Sequence, residues 1–304
     1  MDFLPAISSD TLEDAIVKTV AFFDVLDYPL TIKEIHDRLL GLDASMEEIQ
    51  AVIEESERVS FINGYVVLPQ RDRIIEMRLQ NVSADLDLWK RVKRYEWMFR
   101  IVPFIQGAYV CNRLAITQGS SESDIDIFVI AEEGRMFIVR TFLLFLSQIF
   151  GVRRYGDRVA RRFCLSFFVD TSLVNLQPLS DGASDIYFSY WVLLLRPIFS
   201  AFDIRTYNSW LSGYFSEDLL RRTLKTPPLS PSYLRRFFTW IFVGKFGDTV
   251  ELMLSKWQLR RARQKFLAMK SPHGVVLHEH CLKFHDHDMR SHYFQEWKRR
   301  TEKY

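Results

Sequence analysis

Asp124 and Asp126 stand one residue apart in "SSESDIDIFVIA", residues 120–131, at the mouth of an apolar run. Side chains alternate between faces along a strand, so the two carboxylates point the same way while Ile125 and Ile127 point into the core. Twice the strand rise puts their Cα atoms about 6.5–7 Å apart. Carboxylates at that spacing can share divalent ions. A two-metal site holds its ions about 3.5–4 Å apart and clamps the attacking and leaving oxygens of a phosphoryl displacement. The triplet therefore suits metal-assisted phosphoryl or nucleotidyl transfer. Taken alone, it equally fits a solvated loop that ends in acids.

The flanking residues supply elements that could position the pair. "FIQGAYVC" reads as a strand, "NRLAITQGSSES" as a turn and short connection, and "DIDIFVIA" as a second strand. "GRMFIVRTFLLFLSQIFG" is a long apolar helix and "RRFCLSFFVDTSL" a third strand. A helix linking successive strands predicts a mixed sheet, here with helices on one face. Residues 71–101 read as helix interrupted near "NVSAD", with Asp85 capping the second piece.

Upstream, three helical patterns precede an apolar pair of segments around Asn63-Gly64, a two-residue hairpin signal. Thr31 and Ser45 are the expected N-caps of the second and third helices, and Glu48 completes a capping box with Ser45. "LTIKEIHDRLLG" spans the second helix, with Gly41 as its stop. Three helices and a hairpin predict a winged helix-turn-helix. The third helix carries Glu47, Glu48, Glu54, Glu55 and Glu57. Phosphates repel such a face, so sequence-specific DNA binding is not expected and a structural or protein-contacting role is. The expected organisation is α+β: a winged helix-turn-helix over 1–83, an α/β domain with a mixed sheet over 84–184, and a helical region over 185–304.

Of the 304 residues, nearly half are apolar and a seventh aromatic, ample for buried cores. Residues 1–70 carry a net charge of −10 and residues 219–304 a net of +11. The two ends could dock on each other, or the basic end could face an anionic partner. Cys111, Cys164 and Cys281 form no CxxC pair, and three isolated cysteines suit a reducing, cytoplasmic setting. The N-terminus lacks the pattern of a signal peptide, and the apolar stretches are too short or too charged to span a membrane. P-loop, Rossmann and nucleophile-elbow motifs do not occur.

The stretch "VCNRLAITQGSSESDIDIFVI" resembles the signature of the DNA polymerase beta-type nucleotidyltransferase superfamily: strand, turn, short helix, then Ser-Asp-hydrophobic-Asp-hydrophobic. "FFDVLDYPLTIKEI", "YNSWLSGYF", "WQLRRAR" and "LKFHDHD" resemble stretches of bacterial nucleotidyltransferase-domain proteins that carry an N-terminal winged helix and a helical C-terminal region. The resemblance implies transfer of a nucleoside monophosphate from an NTP to an acceptor, with Mg²⁺ or Mn²⁺ held by Asp124 and Asp126. The acceptor could be a protein, a small molecule or RNA. It further implies a third carboxylate on a neighbouring strand. Asp170 is the candidate, because alternation puts Cys164, Ser166, Phe168 and Asp170 on one face. If the position falls at Ser166, the carboxylate is missing.

One departure stands out. The family's Gly-Ser turn, which cradles the triphosphate, falls at Asn112-Arg113, and Gly119-Ser120 lies too close to Asp124 to replace it. Asn112 tolerates the positive φ of such a turn. Arg113 could hold phosphate by charge or fill the pocket, and Ser123 adjoins the nucleotide position. A second reading follows: a non-catalytic binding or regulatory module on the same fold, using the basic C-terminal helices and the winged helix to engage a macromolecular partner.

Two further clusters are weighed. "HEHCLKFHDHD" offers His278, His280, Cys281, His285 and His287 as zinc ligands, but in no standard spacing, so a structural or substrate-contact role is preferred. "KWQLRRARQKF" places Arg260, Arg261, Arg263 and Lys265 near Trp257 and Phe266, which suits either a polyanion or a solvated helix face.

Overall fold

The computed structural model describes residues 11–182, 184–222, 226–230, 232–267, 274–284 and 288–304. Helices α1 (Leu12–Val25), α2 (Ile32–His36) and α3 (Met46–Glu55) open the chain. Their caps are the expected local chemistry. Thr31 and Glu34 form a capping box at α2, and Ser45 and Glu48 form another at α3. Helix α2 stops after His36, short of Gly41, which turns the chain at φ +77°. Strands β1 (Ser60–Ile62) and β2 (Tyr65–Val67) pair across Asn63 and Gly64, both at positive φ, as a right-twisted two-residue hairpin requires. Glu47, Glu48, Glu54, Glu55 and Glu57 are all exposed.

Helix α4 (Arg73–Arg100) runs unbroken through "NVSAD", contrary to the expected interruption. Asp85 does not cap a helix. It is buried and accepts the Gly119 backbone N–H at 2.7 Å. A side chain at 119 would collide with Leu88 and Asp85, so glycine is required for that approach.

The central sheet is mixed. Its strands, in chain order, are β3 (Ile105–Val110), β4 (Ile125–Ala131), β5 (Phe163–Asp170), β6 (Arg196–Ser200), β7 (Val275–His278) and β8 (Cys281–Phe284). The spatial order is β6-β3-β4-β5-β8-β7, with β4 and β5 parallel and the other neighbours antiparallel. Helix α5 (Asn112–Ala115) follows β3, and α6 (Met136–Ile149) links β4 to β5. Residues 185–304 are therefore not simply helical. They contribute three of the six strands, each five residues or fewer, too short to show a clear period in sequence. The rest of this region forms α7 (Ile186–Leu193), α8 (Glu217–Arg221), α9 (Tyr233–Phe242), α10 (Gly244–Leu267) and α11 (Arg290–Lys303).

Helices cover both faces of the sheet rather than one. Tyr109, Phe128, Ile130, Phe167 and Val169 pack with α1 and α7, while Ala108, Val110, Ile127, Val129 and Phe168 pack with α4 and α6. Each fully buried Phe contributes about 1.5–3 kcal/mol of transfer free energy. The first of these cores draws on all three expected segments at once. The oppositely charged ends of the chain also meet. Trp297 of α11 donates to the Lys18 carbonyl at 2.9 Å, and buried Asp24 accepts from both Arg71 and Arg300 at 2.7 Å. Among the described residues, no helix is long and apolar enough to cross a membrane.

Candidate functional site

Asp124 immediately precedes β4 and Asp126 lies within it, with the intervening Ile125 and the following Ile127 buried on the opposite face. Strand β4 is central, so both acids open onto the sheet's middle at one end. Across the parallel pair, Asp126 is in register with Cys164. Asp124, Asp126 and Cys164 each offer a ligand atom, and these atoms lie within 4.8 Å of one another.

Burial holds both carboxyls above the usual range, and the Asp126 charge raises Asp124 further. Two local bonds offset part of that cost. Arg154 Nη1 lies 2.6 Å from Asp124 Oδ2, and Asn112 Nδ2 donates to Asp126 Oδ2 at 2.8 Å. The Cys164 thiol is pushed up to about 12, first by burial and then by Asp126, so it is protonated unless a cation joins the cluster.

Asn112 makes the turn from β3 into α5 at φ +56°, the conformation expected of it. Its side chain, however, is engaged: Trp191 Nε1 donates to its Oδ1 at 2.9 Å while its amide nitrogen reaches Asp126. Arg113 and Ser123 line the cleft above the acids. Ser123 closes a local turn, its Oγ accepting the Ser120 N–H at 2.9 Å. That cleft encloses about 620 Å³ and remains open beside Arg113. Tyr187, Trp191 and Tyr293 form an aromatic wall, with the two tyrosine rings stacked at 4.8 Å.

Asp170 is not part of this site. It pairs with Ala131 at the far end of β4, about 16 Å along the strand from Asp126. The register also shifts between Asp126 and Phe128, leaving one extra residue in β5 between Cys164 and Phe167. That extra residue reverses the alternation, so Phe167 and Val169 take the Phe128 face and Asp170 the other. Its carboxylate instead accepts Ser172 N–H at 3.0 Å and pairs with His280 Nδ1 at 2.7 Å. Ser166 is the nearer polar group, its Oγ 3.3 Å from the Cys164 sulfur. Among the described residues, no third carboxylate joins Asp124 and Asp126.

The histidine-rich end resolves partly. His278, His280 and Cys281 sit on the β7–β8 hairpin, with His280 committed to Asp170, while His285 and His287 lie outside the described residues. Arg260, Arg261, Arg263 and Lys265 are exposed on α10, with Trp257 beside them and Phe266 half-buried. Sequence reasoning missed Arg154 and the aromatic wall. The signal for Arg154 was available: five arginines fall among the ten residues 153–162.

Compared with models of known protein families, with curated proteins and with solved structures, the chain has no match. The functional reading therefore stands on the geometry just described.

Proposed function

We propose that the cleft above Asp124 and Asp126 binds a nucleoside triphosphate and transfers its NMP to an acceptor. The observation that carries this reading is the pair of carboxylates that lines an open cleft walled by rings, with the Cys164 thiol within 4.8 Å of both. These donors fit one divalent cation. Asp124, Asp126 and Cys164 would hold Mg²⁺ or Mn²⁺, which neutralises charge on a triphosphate. The thiol favours the softer Mn²⁺. Arg113 lines the same cleft as a point of positive charge for phosphates. The Tyr187, Tyr293 and Trp191 rings, the first two stacked on each other and the third on Phe167 and Phe188, offer an apolar wall against which a base can pack. The N-terminal helices and hairpin, taken as a winged helix, serve a structural or protein-contacting role, because the third helix is acidic.

A second reading has its own support. Arg154 already pairs with Asp124, Asn112 with Asp126, and among the described residues no third carboxylate joins them to help activate an acceptor. A protein so built binds the nucleotide and does not transfer it.

Thermal-shift titration with each of four NTPs and Mg²⁺ or Mn²⁺ tests both, comparing the native chain with Asp124→Asn/Asp126→Asn. A ligand at a hundred times its Kd stabilises the fold by about 2.7 kcal/mol. A metal-dependent shift lost in the variant, with pyrophosphate released, supports transfer. The same shift without pyrophosphate supports the binding module. Absence of any shift sinks both.

A further inference from the structure

A second cleft lies on the other side of Cys164, and its lining has the opposite character. It encloses about 1030 Å³ between α6, the 150–162 connection and α10. Arg140, Arg153, Arg154, Arg261 and Lys265 line it, and no Asp or Glu does. Of these five, Arg154 is the one paired with a carboxylate, Asp124, among the described residues.

Arg140 is the decisive residue. It lines the cleft with its guanidinium over the rings of Phe168 and Phe284, 5.8 and 4.9 Å from their centroids. One terminal nitrogen donates to Gln258 Oε1, yet Nε is buried with no hydrogen-bond partner. Burial, and then the neighbouring Arg153, pull this guanidinium down to about 10. A half-buried guanidinium with an unpaired nitrogen beside a second cation is costly, and the field of an anion seated in the cleft offsets that cost. The walls add a second kind of contact. Phe145, Tyr155 and Trp257 line the same cleft with their rings 63%, 70% and 57% exposed.

We propose that this cleft binds single-stranded nucleic acid. Cations along a groove neutralise backbone phosphates, and exposed rings stack with bases irrespective of sequence. A free phosphate would use the cations and leave the rings and most of the volume unused. A bilayer presents a flat face and does not reach into the cleft to the half-buried Arg140. Cys164 and Ser166 line this cleft too, so a strand seated in it passes beside the carboxylate pair. The binding itself does not depend on nucleotidyl transfer occurring there.

The test is fluorescence anisotropy of the full chain with a labelled single-stranded RNA, and its DNA counterpart, of about twelve nucleotides, within the span an oligonucleotide groove covers. Log affinity should fall with log salt at a slope of about −0.7 for each phosphate neutralised, so about −2 to −3 for three or four contacts. Arg153→Ala/Arg261→Ala/Lys265→Ala, all at the rim, should weaken binding at least about tenfold at low salt. Arg140→Gln should weaken it also, and the rim variant keeps the test valid if the buried substitution unfolds the protein. Four results would overturn the proposal: no binding at low salt, equal affinity for a duplex, full competition by millimolar inorganic phosphate, or an unaffected rim variant. Vesicles rich in anionic lipid that bind with the same variant dependence would overturn it in favour of a membrane surface. The NTP thermal shift reports on the acid cleft separately, so either site can fail without the other.

Discussion

The two clefts meet through the Arg154–Asp124 pair and differ in almost everything else. On one side, two half-buried carboxylates stand side by side and their charge is offset by an amide and one arginine. On the other side, five cations gather with no lining acid to offset them. Arg154 belongs to both, pairing with Asp124 while lining the basic cleft. Each concentration of like charge raises the cost of its own ionised form, and the complementary ligand removes that cost: a cation for the acids, a polyanion for the arginines.

That comparison can be broken at the residue the clefts share. Arg154→Gln removes a competitor for Asp124 and a cation from the basic cleft. Divalent-ion affinity at the acid pair should tighten by about tenfold, or about 1.4 kcal/mol, while oligonucleotide affinity should weaken and its salt slope lose about 0.7. Isothermal titration with Mn²⁺ and anisotropy measure the two arms. Effects of the same sign would mean that the clefts are one site.

A smaller substitution sharpens the acid side alone. Trp191→Phe keeps the aromatic wall and deletes the donor that fixes Asn112. The loss should be about 1 kcal/mol in thermal stability, and nucleotide binding should suffer while oligonucleotide binding does not. Equal losses at both would place Trp191 in the general core instead.

The smallest effect belongs to Asp170, which serves neither cleft. Its hydrogen bond raises the pKa of His280 above the ordinary value of about 6.5. A raised histidine stabilises the fold fully below its unfolded pKa and loses that contribution as pH rises through its folded pKa. Stability should therefore decline gently from about pH 6.5 upward, by well under about 1 kcal/mol because His280 is partly exposed. Melting curves across that range should show the decline in the native chain and not in Asp170→Asn. An unchanged slope would mean that the pair does not titrate with folding.

What the sequence by itself determined is what neighbouring residues decide among themselves. The capping boxes at Thr31 and Ser45, the positive-φ turn at Asn63-Gly64 and the left-handed Asn112 are formed by groups a few positions apart. The shared face of Asp124 and Asp126 follows from the strand period alone. The tertiary structure decided the rest. Asp170 was placed on the correct strand by pattern but pairs five residues along β4 from Asp126, out of reach of the site, and one extra residue in β5 also turns it to the other face of the sheet. Strands β6, β7 and β8 are too short to declare themselves and exist because other strands offer unpaired edges to them. Cys164 and Arg154 reach the acids only through the β4–β5 pairing and the loop that precedes β5. Those contacts join residues 30 or more positions apart, and no local periodicity encodes them.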